Sequence, residues 1–151
     1  MKWLTRIVVV VALVLVGWWV KERFFVSDET RIKRALDALV KAVETGNMVG
    51  LSDGIAADYS DDRDLDKGTL VAMVHGYRSQ QQAIFIFLTE MKVEVEASRH
   101  AAQVTLIANI LIKPKGGADT HMDGERFRLY FRKDDRGWKL ARVESPKLQF
   151  D

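Results

Sequence analysis

Arg126-Phe-Arg-Leu-Tyr-Phe-Arg-Lys-Asp-Asp-Arg-Gly-Trp-Lys-Leu140 is the stretch that decides the fold. Phe127, Leu129 and Phe131 alternate with Arg126, Arg128, Tyr130 and Arg132, so one face of an extended strand is apolar and the other wet. Asp134-Asp135-Arg136-Gly137 has the composition of a tight hairpin turn. From Trp138 to Glu144 the chain resumes as a last strand, WKLARVE.

The same period of two extends back along the chain. In QVTLIANILIK (103–113), Val104, Leu106, Ala108, Ile110 and Ile112 share one face. Ile107 and Leu111 make the other face partly apolar too, as in a strand covered on both sides. In MKVEVEA (91–97), Val93 and Val95 alternate with Lys92, Glu94 and Glu96. The stretch KPKGGADTHMDG (113–124), between the second and third strands, reads as a mobile glycine-rich loop.

Before Ala83 the period is that of a helix. Ile32, Ala35, Leu36, Leu39, Val40 and Val43 form one apolar stripe, started by Ser27 or Asp28 and stopped at Gly46-Asn47. A weaker helix is expected over Met48–Ala57. A polar acidic loop, Asp58 to Asp66, leads into a third helix with Asp66 as N-cap and Leu65 and Leu70 at staple spacing. Leu70, Met73, Val74 and Tyr77 should form its buried face. The fold class is therefore α+β: three helices packed on a curved antiparallel sheet of about four strands.

A different kind of segment precedes this domain. Ile7 to Val20 reads IVVVVALVLVGWWV, and Trp3–Val20 contains a single charge, Arg6. As a helix those residues span roughly 27 Å, close to a bilayer's hydrocarbon core. Trp3 and the Trp18-Trp19 pair stand where indoles favour the membrane–water boundary. No small-residue cleavage pattern follows, which argues against a removed signal peptide, and the run has no polar stripe, which argues against a core helix. The expected organisation is a transmembrane anchor with flanks (1–23), a juxtamembrane linker (24–27), one domain (28–146) and a tail (147–151). The expected setting is the inner membrane, single-pass, with the C-terminal domain periplasmic, and the first partner is the bilayer, through Trp3–Val20.

The chain has 23 Lys+Arg, 21 Asp+Glu and no cysteine, which excludes disulfides, thiol chemistry and a lipoprotein anchor. Most of the excess of +2 comes from the membrane flanks, because the domain alone is nearly neutral. That argues against nucleic acid, which needs a concentrated basic surface.

The long first helix, the D-Y-S-D-D loop, A-x-V-T-L in a middle strand and the ending R-F-R-L-Y-F-R-K-D-D-R-G-W-K-L resemble the nuclear transport factor 2-like superfamily. This is the SnoaL-like, cystatin-like cone fold of polyketide cyclases, scytalone dehydratase and ketosteroid isomerase. The resemblance covers roughly residues 28–146. It implies a curved sheet wrapped around helices with an open mouth. It carries no single function, since members include enzymes, ligand binders, dimerisation modules and membrane-tethered assembly factors.

Few residues suggest chemistry. Asp62-x-Asp64-x-Asp66 begins like a calcium loop, but the sixth and twelfth positions hold Lys67 and Met73 where such a loop needs glycine and glutamate. No histidine pair has metal-ligand spacing, and no phosphate loop or nucleophile elbow is present. The ligand-pocket candidates are Tyr59, His75, Tyr77 and Arg142, with no catalytic, metal or cofactor residue assigned. His75 falls off the stripe of its helix and reads more readily as a surface side chain. Arg142, in register with Trp138 and Leu140, is expected to turn toward the interior, where it would need an anionic partner.

The preferred reading is a membrane-anchored binding or assembly module of the cell envelope with no chemistry of its own. Its partner would be a second copy or an envelope protein on the sheet face, and a small apolar ligand is compatible with it. The alternatives are a SnoaL-like enzyme of the dehydratase, isomerase or cyclase type and a lipophilic-ligand carrier. A cone filled by Phe85, Phe87, Leu106 and Phe131 would eliminate the enzyme.

Overall fold

A computed structural model describes the backbone of residues 2–24 and 27–145 and the side chains of residues 7–20 and 27–145. Helix α1 spans Lys2–Phe24. Every side chain from Ile7 to Val20 is exposed. Among the described residues, no helix is long and apolar enough to cross a membrane. Most of the linker, the tail and the flanking side chains Trp3, Arg6, Lys21 and Arg23 lie outside the described residues.

Helix α2, Asp28–Thr45, begins where Ser27 accepts from the Thr30 N–H and ends at Gly46, whose φ of 72° closes the helix in the left-handed region. Its stripe is buried at Ile32, Leu36, Leu39 and Ala42. Helix α3 is shorter than expected, Met48–Asp53, with Asn47 as its cap. The rest of the expected helix does different work. Leu140 donates to the Gly54 carbonyl and accepts from the Ala56 N–H, both at 2.9 Å, so residues 54–56 cover the edge of the last strand.

Helix α4 spans Lys67–Ser79, capped by the Asp66 carboxylate. Its packing face departs from expectation. Leu70, Val71 and Val74 pack on the core, while Met73 and Tyr77 are 52% and 50% exposed. Arg78 fastens the helix end by donating to the Glu44 and Gln81 carbonyls at 3.0 Å.

The sheet is a fully antiparallel meander of β1 (Gln81–Val95), β2 (Ala101–Pro114), β3 (Thr120–Asp134) and β4 (Gly137–Glu144). The glycine-rich stretch is a loop over residues 115–119 only, shorter than expected, because its second part, Thr120 to Gly124, belongs to β3. Ladder hydrogen bonds and the Asn109 side chain, which accepts from the Gly124 N–H at 2.8 Å, hold it in place.

Four register irregularities shape this sheet, the first leaving Gln82 on β1 unpaired between Gln81 and Ala83. Glu90–Met91 on β1 oppose Leu106 alone, Asp123–Gly124 on β3 oppose Asn109 alone, and Ala141 on β4 has no partner between Leu140 and Arg142. Each extra residue bends its strand and reverses which parity faces the core. On β1 the inward residues pass from Ile84, Ile86 and Leu88 to Val93 and Val95. On β4 they pass from Trp138 and Leu140 to Val143. The curved inner face closes over α2 with Val104, Leu106, Leu129 and Phe131 at its centre. Phe85 and Phe87 point the other way and are 40% and 59% exposed. The core therefore contains Leu106 and Phe131 without the other two phenylalanines.

Candidate functional site

A cavity of about 700 Å³ opens beside the end of β4, where, among the described residues, no β4 residue pairs with β3 before Arg128. The acidic loop and the first half of α4 form its opposite wall. Leu65, Leu70, Met73, Phe127 and Val143 give it an apolar lining. Tyr59, Asp61, Arg126, Arg128, Glu144 and Ser145 bring polar groups to it. An apolar body with a few convergent polar groups is the usual form of a small-molecule site.

Tyr59 is its most buried polar member, 3% exposed, and its hydroxyl donates to Asp61 at 3.2 Å. Burial pushes the phenol well above its ordinary range. The negative charge and hydrogen bond of Asp61 push it the same way, against smaller opposing effects of Arg63 and the Val143 backbone. The group stays neutral and remains a hydrogen-bond donor throughout the physiological range. Asp61 is a loop organiser, since its other oxygen accepts the Arg63 and Leu65 N–H groups at 2.9 and 3.2 Å. The Ser145 hydroxyl is buried without a partner among the described residues.

A charged network borders the cavity. Glu144 accepts from Tyr130 at 3.1 Å and faces Arg142 at 2.9 Å and Arg128 at 3.7 Å. Arg142 also pairs with Asp62, tying β4 to the acidic loop.

Of the four candidate residues, only Tyr59 lines this cavity. His75 is exposed on α4, and Tyr77 is half exposed on the same helix. The expected inward turn of Arg142 is corrected by the Ala141 bulge, which shifts it onto the solvent side opposite Tyr130. It finds its anionic partners there, in Asp62 and Glu144. The cavity residues that sequence reading did not gather are Arg126, Arg128, Phe127 and Ser145. The alternation of β3 marked the two arginines as a wet face, but nothing local showed that a cavity opens beside them. No cluster of three or more potential metal-ligating side chains occurs among the described residues.

No family model and no curated protein matches the sequence. Solved structures do. A proposed dehydratase of the nuclear transport factor 2-like family from Streptomyces avermitilis superposes with a TM-score of 0.68 at 22% identity, over 78% of this chain and 94% of that one. A proposed aromatic ring hydroxylase from Novosphingobium aromaticivorans gives 0.70 at 18% identity, over 82% and 90%. A nuclear transport factor 2-like protein of cystatin-like fold from the same organism gives 0.65 at 18% identity, over 91% and 92%. At these identities the likeness is one of fold. The chain has the nuclear transport factor 2-like cone, an α+β fold with a four-stranded antiparallel sheet.

Proposed function

We propose that this chain is a membrane-tethered cone domain of the cell envelope that binds a small, mainly apolar ligand with one polar end. The observation that carries the binding is the cavity beside β3. Its apolar residues suit the ligand body, and the Ser145 hydroxyl, without a partner among the described residues, is available to its polar end. Arg126, which forms no ion pair among the described residues, favours a negative charge there.

Support for the tether comes from α1. A helix apolar on every face is ordinarily covered, by a protein core or by lipid. Ile7 to Val20 are apolar throughout and all exposed. An apolar segment at the N-terminus, with Lys2 and Arg6 before it, favours the orientation with the domain outside the cytoplasm.

A second reading is a proton-transfer enzyme in the same cavity, favoured by the phenol–carboxylate pair of Tyr59 and Asp61 and by the neighbours named as dehydratases. Binding is preferred, because a phenol held this firmly protonated is poorly matched to proton transfer near neutral pH.

The test titrates the detergent-solubilised full chain with 2-naphthoate, an apolar body bearing a carboxylate, by calorimetry. Saturable binding is expected, with at least a tenfold loss in Leu70→Trp, which fills the cavity. Equal affinity in the two proteins would overturn the reading. The tether is tested separately by washing membranes at alkaline pH: retention supports it and release refutes it. Turnover of a substrate by the wild type but not by Tyr59→Phe would favour the enzyme.

A further inference from the structure

We infer a second site, an anion pocket for a phosphoryl group, where the start of α2 faces the β3–β4 hairpin. A cavity of about 390 Å³ there is lined by Arg31, Arg34, Ala35, Lys133, Arg136 and Trp138. Arg31 and Arg34 stand three residues apart on α2, so their side chains share a face. Lys133 and Trp138 are cross-strand partners, and Arg136 belongs to the turn that joins them.

The charges in this pocket are not matched by the protein. Lys133 lies over the Trp138 ring, 5.9 Å from its centroid, and 3.5 Å from Asp28, which offsets its charge. Asp134 accepts the Arg136 backbone N–H at 2.7 Å, and Asp135 follows it in the same turn. Among the described residues, no carboxylate forms an ion pair with the guanidinium of Arg31, Arg34 or Arg136. Elsewhere on the sheet Arg128, Arg132 and Arg142 are each paired. Arg31, Arg34 and Arg136 line one concavity, and a bound anion would lower the repulsion among their like charges.

Trp138, a core residue only 5% exposed, closes the floor of the pocket. A phosphoryl group offers several acceptor oxygens and a charge of the right sign. Arginine is the side chain that binds it in bidentate fashion.

The phosphoryl group has two possible sources, a phospholipid headgroup or free phosphate. The headgroup source rests on the tether proposed above. Asp28 follows Phe24 by four residues, at most about 14 Å of extended chain, so an anchored α1 would hold this pocket near the lipid surface.

Calorimetry on the full chain in non-ionic detergent tests the pocket, with inorganic phosphate and dihexanoyl phosphatidylglycerol as separate probes. Either probe should bind, and the double variant Arg34→Gln/Arg136→Gln should bind at least tenfold more weakly. Arg132→Gln, which removes a paired arginine outside the pocket, should stay within twofold of wild type. Binding of phosphate alone assigns free anion, binding of the lipid alone assigns the headgroup, and binding of both assigns the phosphoryl group itself. No binding of either probe, or equal loss in Arg132→Gln, overturns the inference. Because the chain is in detergent and phosphate is soluble, this result does not depend on whether α1 lies in a bilayer.

Discussion

The guanidinium of Arg142 lies over the ring of Tyr130, 5.9 Å from its centroid, on the solvent side of β3 and β4. From there it reaches Asp62 and Glu144, and so joins the acidic loop to the strand that borders the larger cavity. The pair with Asp62 is exposed, and exposed ion pairs contribute little because solvent and salt screen them. Arg142→Gln should leave the urea midpoint nearly unchanged. Its larger effect should be on the loop, read as faster amide exchange at Arg63 and Leu65 and weaker 2-naphthoate binding. Unchanged exchange would show that Asp61 alone orders that loop.

One unpaired residue, Ala141, separates inward Leu140 from outward Arg142. Deleting Ala141 would leave Leu140 opposite Phe131, Arg142 opposite Tyr130 and Val143 opposite Leu129, so every remaining side chain keeps its face and only the local bend is lost. A cooperative thermal transition is therefore expected in the deletion as well as in Ala141→Ser, which keeps the residue count. Loss of that transition in the deletion alone would show that the bend itself holds β4 on the core.

Tyr59 should make stability depend on alkaline pH. Its phenol is raised above the ordinary value of 10.0 in the folded chain, first by burial. Unfolded tyrosine ionises at about 10, where the folded chain still holds the proton. The contribution is therefore complete below pH 10 and is lost as pH rises beyond it. Urea midpoints at pH 8 and pH 10.5 should differ more in wild type than in Tyr59→Phe. Equal differences would mean that the phenol titrates normally. Absorbance at 295 nm should show a tyrosine ionising above the ordinary range in wild type and not in Tyr59→Phe.

Gly54 tests the turn that covers the edge of β4. A Cβ built there would clash with Leu39 Cδ2, and Leu39 is a core residue only 6% exposed. Gly54→Ala should destabilise by about 1–3 kcal/mol, the usual range for overpacking. Gly76→Ala, where a Cβ meets nothing within 4 Å, is the matched control and should be neutral or slightly stabilising. Similar losses in both would place the cost in the helix backbone rather than in contact with Leu39.

The sequence by itself determined the elements and their order. The stripe from Ile32 to Val43, the caps at Ser27 and Asp66, the stop at Gly46 and the alternation of Phe127, Leu129 and Phe131 are local patterns, set by the period of each backbone conformation. It also marked Tyr59 as a pocket residue and set the apolar run from Ile7 to Val20 apart from the domain. Only the tertiary structure decided where those patterns break. The bulges at Glu90–Met91, Asp123–Gly124 and Ala141 arise from the register between strands, which no single strand encodes. They turn Arg142 outward and curve the sheet. The packing at the end of β4 opens the cavity beside Arg126, Phe127 and Arg128. The grouping of Arg31 and Arg34 with Arg136 and Trp138, about a hundred residues further along, is a product of chain folding alone.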